Sequence, residues 1–145
     1  MPVEDATEYE PSPWEPIAEQ VEAFLSSGGQ EGAEMEGAPC VILETVGRKT
    51  GKLRRTPLIR VHDGDYLVVA SMGGADDHPA WYPNLVADPD VAVYDGPERH
   101  LVRARTADPE EKARRWPAAT AVWPSYDDYQ ASTDRDIPLV VLEPR

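Results

Sequence analysis

Prolines and glycines interrupt this sequence so often that it has little room for long helices. The 145 residues include 15 prolines and 10 glycines, spread along the chain. Proline disrupts helix interiors and removes a hydrogen-bond donor from a sheet, while glycine favours tight turns. The chain is therefore restricted to short elements joined by turns. Its length is that of one domain, and an apolar fraction of 41% is sufficient for one hydrophobic core.

The apolar runs between these turn signals follow one another mostly in hairpin order. We expect six strands, at residues 40–46, 55–62, 66–71, 91–94, 99–106 and 137–142. Pro57 marks its strand as an edge strand or a bulge, and Asp63-Gly64 marks a hairpin. Short helices are expected at 80–87, from 108 towards Trp116, where Pro117 interrupts, and after a capping Ser125. This order favours an α+β fold, a small and mainly antiparallel barrel with peripheral helices, over a doubly wound sheet.

The first 36 residues differ in composition from the rest. Residues 1–11 are acidic and contain proline, so we expect them to be disordered. Ser12 is a candidate helix cap, with Pro13 at the first helical position and Glu15 closing a capping box. Gly28-Gly29 ends this helix, and a polar, flexible linker follows. We therefore divide the chain into an N-terminal part, residues 1–36, and a folded domain, residues 37–145.

One face of this N-terminal helix is apolar, with Ile17, Val21 and Phe24 at helical spacing. The face can pack on the domain or on a second subunit, or it can lie on a membrane surface. Since residues 1–47 contain no Lys or Arg, binding to anionic lipid is disfavoured, and packing on the protein is the preferred interpretation.

The charge and composition of the chain argue against several classes of function. The formal net charge is −13, which repels the phosphates of nucleic acid, so we expect no nucleic-acid partner. No segment reaches the roughly 18–20 apolar residues of a membrane span. The first residues lack the pattern of a signal peptide, and the single Cys40 rules out an internal disulfide, which together favour a cytoplasmic location. The scattered His62, His78 and His100 show no metal-ligand spacing, so no metal site is expected.

Six of the fourteen basic residues fall within residues 48–60, as an island in an otherwise acidic chain. In the segment GRKTGKLR, Gly47 and Gly51 allow a tight turn that points backbone N–H groups at an anion. The spacing is not that of a P-loop, because only three residues separate the glycines. The turn is either an anion site for phosphate or carboxylate groups or a solvated hairpin tip.

Three further segments are candidates for binding a flat molecule. Ala70-Ser71-Met72-Gly73-Gly74 ends a strand, and its glycines allow close approach of a planar ligand. Trp81 shares a helical face with Asn84 and Leu85, and Tyr126 shares one with Tyr129. Each segment has a plainer interpretation, as an ordinary loop or as aromatic core packing, and spacing alone leaves both open.

Together these segments resemble one family. The runs TVGRKTGKLRRTPL, DGDYLVVASMGGADDHPAWYPNL and WPAATAVWPSYDDYQASTDRDIPLVVLEP are similar to the deazaflavin-dependent nitroreductases of actinobacteria, over about residues 40–145. The resemblance implies a split β-barrel of the flavin-reductase type. It also implies that the cofactor is reduced coenzyme F420, a deazaflavin whose anionic tail carries a phosphate and glutamates.

The resemblance also implies roles for individual residues. Arg48, Lys49, Thr50 and Arg54 would hold the phosphate and tail. The remaining cofactor-binding positions would be Pro57, Leu58, Ala70, Ser71, Gly73, Gly74, Trp81 and Asn84. Tyr126 and Tyr129 would shape the substrate pocket and, with Ser71, serve as catalytic hydrogen-bond or proton donors. Two positions depart from the family pattern. Met72 stands where well-known members of the family carry Lys, and Trp123 stands where a third Tyr can occur.

The expected activity is hydride transfer from C5 of the reduced deazaflavin to a flat electrophilic acceptor. A quinone is the expected acceptor, with nitroaromatic compounds as possible additional ones. Two alternatives remain open at this point: a split-barrel oxidoreductase that uses FMN, and a protein that binds the deazaflavin without catalysis. The oligomeric state does not follow from the sequence.

Overall fold

A computed structural model describes all residues, 1–145, of the protein. The strands are β1 (Glu34–Met35), β2 (Ala38–Val46), β3 (Leu53–Ile59), β4 (Val61–Asp63), β5 (Asp65–Val69), β6 (Asp90–Asp95), β7 (Glu98–Thr106) and β8 (Leu139–Pro144). The helices are α1 (Glu15–Ser26), α2 (Trp81–Ala87), α3 (Pro109–Val122) and α4 (Ser125–Ala131). Two single 3₁₀ turns lie at Val3–Asp5 and Met72–Gly74. None of the helices has the length and apolar character needed to cross a membrane.

The strands form one antiparallel sheet in the order β1-β2-β6-β7-β8-β5-β4, and β3 pairs with the other side of β2. Only Arg60 separates β3 from β4, so these two strands join the two ends of the sheet. The expected strand 55–62 is thus two strands that bend at Arg60. The sheet curls into the predicted antiparallel split barrel. Pro57 lies opposite Ile42 in β3, a strand with one free edge, as expected for a strand proline.

Alternation along the strands places apolar side chains on both faces of the sheet. The inner cluster includes Val41, Leu43, Val68, Val93 and Leu142, and Trp81 and Leu85 of α2 close it. The outer cluster is covered by α3 and α4 and includes Ile59, Leu67, Leu139 and Val141. Burial of each such aliphatic side chain contributes about 1.5–3 kcal/mol relative to exposure, so both clusters stabilise the barrel.

The N-terminal residues 1–11, expected to be disordered, are folded against the barrel. Val3 is fully buried beside Val46 and Leu53. The N–H of Leu53 donates to the carbonyl of Glu8 at 2.7 Å, and the N–H of Glu10 donates to the carbonyl of Leu53 at 3.0 Å. The composition was therefore a poor guide here, because the free edge of β3 supplies hydrogen-bond partners that local sequence does not reveal.

Helix α1 begins at Glu15, two residues later than predicted. The Ser12 hydroxyl accepts a hydrogen bond from the N–H of Trp14 at 3.2 Å and does not cap the helix. The apolar face of α1 packs on the sheet, where Val21 and Phe24 contact Ile42. Packing on the domain, the preferred interpretation of this face, is confirmed. The linker that follows is not free, since β1 pairs with the start of β2.

Two details of the later helices also differ from the prediction. Pro117 does not interrupt α3, which continues to Val122. A proline inside a helix costs about 3 kcal/mol, and burial of Ala119 with packing by Trp116 and Val122 against the outer cluster offsets it. Ser125 is the first residue of α4 and makes no capping hydrogen bond.

Candidate functional site

Two adjoining cavities lie side by side and share Thr56 and Trp81 in their walls. One, of about 430 Å³, is the apolar cavity, and nine of its fifteen lining residues are hydrophobic. The other, of about 510 Å³, is the basic cavity, and only three of its thirteen lining residues are hydrophobic. A ligand with a flat apolar part and an anionic part would span both.

The turn between β2 and β3 forms one wall of the basic cavity. The turn is closed by the N–H of Gly47, which donates to Lys52 O at 2.8 Å, and by the N–H of Gly51, which donates to Gly47 O at 2.8 Å. Gly51 has a φ of +72°, a conformation that favours glycine. The Thr50 hydroxyl accepts the N–H of Lys52 at 3.2 Å.

Asn84 of α2 orients this turn. The Arg48 N–H and the Arg48 guanidinium both donate to Asn84 Oδ1, each at 3.1 Å. Because a backbone N–H is always a donor, these contacts fix the amide orientation, and the Asn84 NH₂ group faces away from them. Asn84 is buried, so the turn is anchored to the barrel through this side chain. Arg48, Lys49 and Thr50 are themselves exposed, so the anion-site interpretation of the turn stays a prediction.

The four cations that line the basic cavity are not equivalent. Arg54 forms an ion pair with Glu10 at 3.2 Å, and Arg55 forms one with Glu44 at 2.8 Å. Arg48 and Lys49 have no carboxylate within 4 Å. These two charges are the ones most available to an incoming anion.

Glu44, which the sequence analysis missed, anchors the basic cavity from below. Its carboxylate is fully buried and accepts hydrogen bonds from Arg55 Nε at 2.8 Å and Arg99 Nη2 at 2.7 Å. The Arg55 guanidinium also lies 4.4 Å from the centre of the Tyr9 ring. The signal was present in the sequence, because one acid in the apolar run CVILETV needs a buried cationic partner.

Five separate segments converge on the apolar cavity. Pro57 and Leu58 of β3, Ser71 and Gly73 of the loop after β5, and Trp81 of α2 line one part of it. The remainder comes from Met35, Trp123, Tyr126 and Tyr129, among others. The lining contains no Lys or Arg, and its one ionisable carboxylate, Glu36, is exposed, so the mainly hydrophobic walls suit an uncharged ring.

The two tyrosines of α4 differ in their environments. Tyr129 accepts a hydrogen bond from Trp123 Nε1 at 3.3 Å, and its ring centre lies 6.1 Å from that of Tyr126. Tyr126 is 5% exposed, and its hydroxyl makes no hydrogen bond with another residue. Burial, reinforced by Tyr129, raises the pKa of Tyr126 well above its usual value. A phenol is protonated at neutral pH with or without this shift, so the unpaired Tyr126 hydroxyl can donate a hydrogen bond into the cavity.

The loop after β5 packs closely on α4 through Gly74. A Cβ atom at Gly74, which has a φ of +85°, would lie 2.3 Å from Ser132 Oγ and 3.0 Å from the carbonyl oxygen of Tyr129. Met72 has a φ of +45° and is half exposed at the cavity. Ala70 is fully buried. Ala70 and Gly74 line neither cavity, and their expected place at the border of the deazaflavin stays a prediction.

Arg135 holds the same loop in place. Its guanidinium donates to the carbonyl oxygens of Ala70 at 3.1 Å, Ser71 at 2.8 Å and Ala75 at 2.7 Å. It also contacts His78 Nδ1 at 3.0 Å. No local pattern in the sequence indicates this role, because about sixty residues separate Arg135 from the carbonyl groups that it binds.

The sequence pattern of the F420H(2)-dependent quinone reductase family matches residues 17–144. The chain belongs to this family. An F420H(2)-dependent quinone reductase of Mycobacterium tuberculosis is 41% identical over 127 residues, which cover 84% of this chain and 85% of the relative. The family resemblance stated from the three sequence runs is confirmed.

Solved structures agree with this family assignment. The structure of an F420-H2 Dependent Reductase (FDR-A) superposes with a TM-score of 0.69 at 42% identity, covering 72% of this chain and 94% of that one. A second structure, described as a domain-swapped dimer, gives a TM-score of 0.71 at 40% identity and covers 91% of this chain and all of the other. The predicted split-barrel fold is confirmed.

Within this quinone reductase family member, the predicted site residues fall into three groups. Arg48, Lys49, Thr50, Arg54 and Asn84 line the basic cavity with Trp81. Pro57, Leu58, Ser71, Gly73, Tyr126 and Tyr129 line the apolar cavity with Trp81. Ala70 and Gly74 lie behind the loop. The structure places these side chains, and their functional roles stay predictions.

Proposed function

We propose that this chain reduces quinones with reduced coenzyme F420 and that residues 37–145, together with the N-terminal residues that line the two cavities, form the binding site. The single observation that carries the proposal is the continuity of the basic and apolar cavities across Thr56 and Trp81. Membership in the F420H(2)-dependent quinone reductase family supports the same cofactor and the same class of reaction.

The donor set fits a cofactor with an anionic tail. Arg48 and Lys49 would bind its phosphate and carboxylates, with the Thr50 hydroxyl as a further donor. Thr56 and Trp81 would lie where the tail meets the ring. When bound, reduced F420 supplies the hydride.

The apolar cavity would hold the ring and the acceptor out of water. Its hydrophobic walls lower the local dielectric, which strengthens any hydrogen bond to an oxygen that gains negative charge. The Tyr126 hydroxyl would be one donor there, because it lines the cavity and has no partner in the protein. Ser71 supplies a second hydroxyl at the other wall. These groups would stabilise and protonate the reduced acceptor.

The character of the cavity favours quinones over charged acceptors. A quinone is flat and neutral, and its carbonyl oxygens match hydroxyl donors such as Tyr126 and Ser71. Nitroaromatic compounds have a similar shape and would enter as additional acceptors. We further propose that the protein acts in the cytoplasm, and the packing of α1 on the sheet leaves the buried part of its apolar face unavailable to a membrane.

A fluorescence titration of purified protein with F420 tests this proposal, with FMN as competitor. Menadione and a nitroaromatic compound are then added in turn to the reduced complex. We expect saturable F420 binding, no displacement by FMN and rapid oxidation by menadione. Tight FMN binding without F420 binding would instead identify an FMN-dependent oxidoreductase. F420 binding without oxidation by either acceptor would identify a non-catalytic binding protein.

A further inference from the structure

The N-terminal residues 8–13, here called the acidic strap, run along the free edge of β3 beside the basic cavity. Two backbone hydrogen bonds join the strap to Leu53, and Tyr9 pairs with Leu53 in a parallel bridge. Ser12 and Pro13 are part of the cavity wall. The strap is therefore held at the site independently of its side chains.

Two glutamates of the strap face cations of the β2–β3 turn region. Glu10 lies 3.2 Å from Arg54, and Glu8 lies 3.8 Å from Lys52. Arg54 lines the basic cavity, whereas Lys52 does not. Only the Glu10 pair thus bears directly on a ligand in this cavity.

Glu10 differs from the other carboxylate that pairs with a cation of this cavity. Glu44 is fully buried and holds Arg55 as part of the core. The Glu10 side chain is 39% exposed, so it can leave Arg54 for solvent at little cost. Glu10 is therefore a displaceable carboxylate beside a cavity that is proposed to bind the carboxylates of the cofactor tail.

We propose that Glu10 is a specificity-determining residue that competes with the anionic tail of the cofactor for Arg54. This inference rests on the proposed function. An internal competitor multiplies the apparent affinity by the fraction of time that it leaves the site free. Glu10 therefore weakens binding of the tail and leaves binding of the deazaflavin ring unchanged, so it sets how much a charged tail adds to affinity.

The test compares two ligands on three proteins. The ligands are F420 with its glutamate tail and the tail-less deazaflavin, which keeps the ribityl chain but lacks the phosphate and glutamates. Both are titrated by fluorescence. Glu10→Gln is expected to bind tailed F420 about two- to fivefold more tightly than wild type, the range for a partly exposed ion pair. The affinity for the tail-less deazaflavin should be the same in both proteins, and the gain in affinity for tailed F420 should shrink in 1 M salt. Glu19→Gln, which removes an equal charge from the exposed side of α1, should match wild type for both ligands.

A double variant makes the test specific to Arg54. In an Arg54→Ala background, Glu10→Gln should no longer change the affinity for tailed F420, because its partner is gone. Equal affinity of wild type and Glu10→Gln for tailed F420 would overturn the inference and leave the proposed function intact. An equal gain in affinity for the tail-less deazaflavin would also overturn the inference. Failure of wild type to bind either ligand would overturn the proposed function as well.

Discussion

The basic cavity and the apolar cavity share two residues but are built in different ways. Seven of the thirteen residues that line the basic cavity lie within residues 47–56, and the N-terminal segment and α2 supply the others. The apolar cavity is assembled from segments near residues 35, 57, 71, 81 and 126, and none of them forms a majority of the wall. The charged groups of the basic cavity come mainly from one turn, whereas the hydrophobic walls of the apolar cavity come from several elements.

The two cavities also differ in what they offer to a ligand. The basic cavity offers charge at a partly open surface, where ionic contacts add affinity but are screened by salt. The apolar cavity offers few polar groups among hydrophobic walls, so each hydrogen bond to a bound ligand there is stronger than it would be in water. We therefore expect changes in the basic cavity to alter binding and changes in the apolar cavity to alter turnover.

Tyr126→Phe is the sharpest test of the apolar cavity. Loss of a proton donor in the reaction lowers turnover about 10²-fold or more, while F420 affinity stays at the wild-type level. Because the Tyr126 pKa is raised, wild-type turnover should not fall as pH rises towards 10, the ordinary pKa of tyrosine. Steady-state kinetics with menadione across pH measure both effects.

Tyr82→Phe is the matched control for this change. The Tyr82 hydroxyl bonds to Thr106 at 2.8 Å and lines neither cavity, so its removal should leave turnover unchanged. Equal turnover of Tyr126→Phe and wild type would remove Tyr126 from the reaction.

Glu44→Gln tests whether the basic cavity depends on the core. The change leaves Arg55 and Arg99 without their carboxylate, and breaking a buried ion pair in this way costs about 3 kcal/mol. Urea unfolding measures the loss. Glu143→Gln, which breaks an exposed pair with Arg105, should cost under about 1 kcal/mol. Similar losses for the two variants would show that Glu44 is no anchor.

Arg48→Ala and Lys49→Ala test the basic cavity itself. Each removes a charge-assisted contact to the cofactor, so F420 affinity should fall by about 1.5–3 kcal/mol, and by less in high salt. Turnover at saturating cofactor should stay close to wild type. Arg114→Ala, at an exposed position on α3, is the control. If neither substitution nor added salt changes the F420 affinity, this turn has only a structural role.

The smallest expected effect concerns the N-terminal segment that supports the basic cavity. Hydrogen bonds from Arg145 lower the pKa of Glu4 from 4.5 to about 2. A lowered carboxyl pKa stabilises the fold above pH 4.5, and the stabilisation is lost as pH falls towards 2. Glu4→Gln should therefore be less stable than wild type at pH 7, and urea unfolding should show the gap closing below pH 4.5. A gap that is constant with pH would contradict this assignment.

Local chemistry made much of the barrel predictable. The strand from Cys40 to Val46, the hairpin at Asp63-Gly64 and the helix over 81–87 appear close to where the patterns placed them. Each depends on neighbours within a few residues, through β-branched runs, turn glycines or apolar spacing. The cationic turn from Gly47 to Arg54 was visible for the same reason, since its charges and glycines are contiguous.

Failures of prediction share a different cause. The first eleven residues look disordered by composition, yet they pair with the edge of β3. Pro117 looks like a helix end, yet packing against the outer cluster carries α3 past it. Arg135 has no local pattern, yet it organises the loop at Ser71. In each case a partner far away in sequence decides the outcome.

The sequence by itself therefore determined the fold class, the family and the charged turn, because short-range patterns and contiguous motifs encode them. Only the tertiary structure decided that Glu10 shares Arg54 with the cavity, that Glu44 supports Arg55, and that Tyr126 is left with an unpaired hydroxyl. These properties arise from burial and from contacts between distant segments. Such contacts depend on how the barrel closes, which no local stretch of the chain specifies.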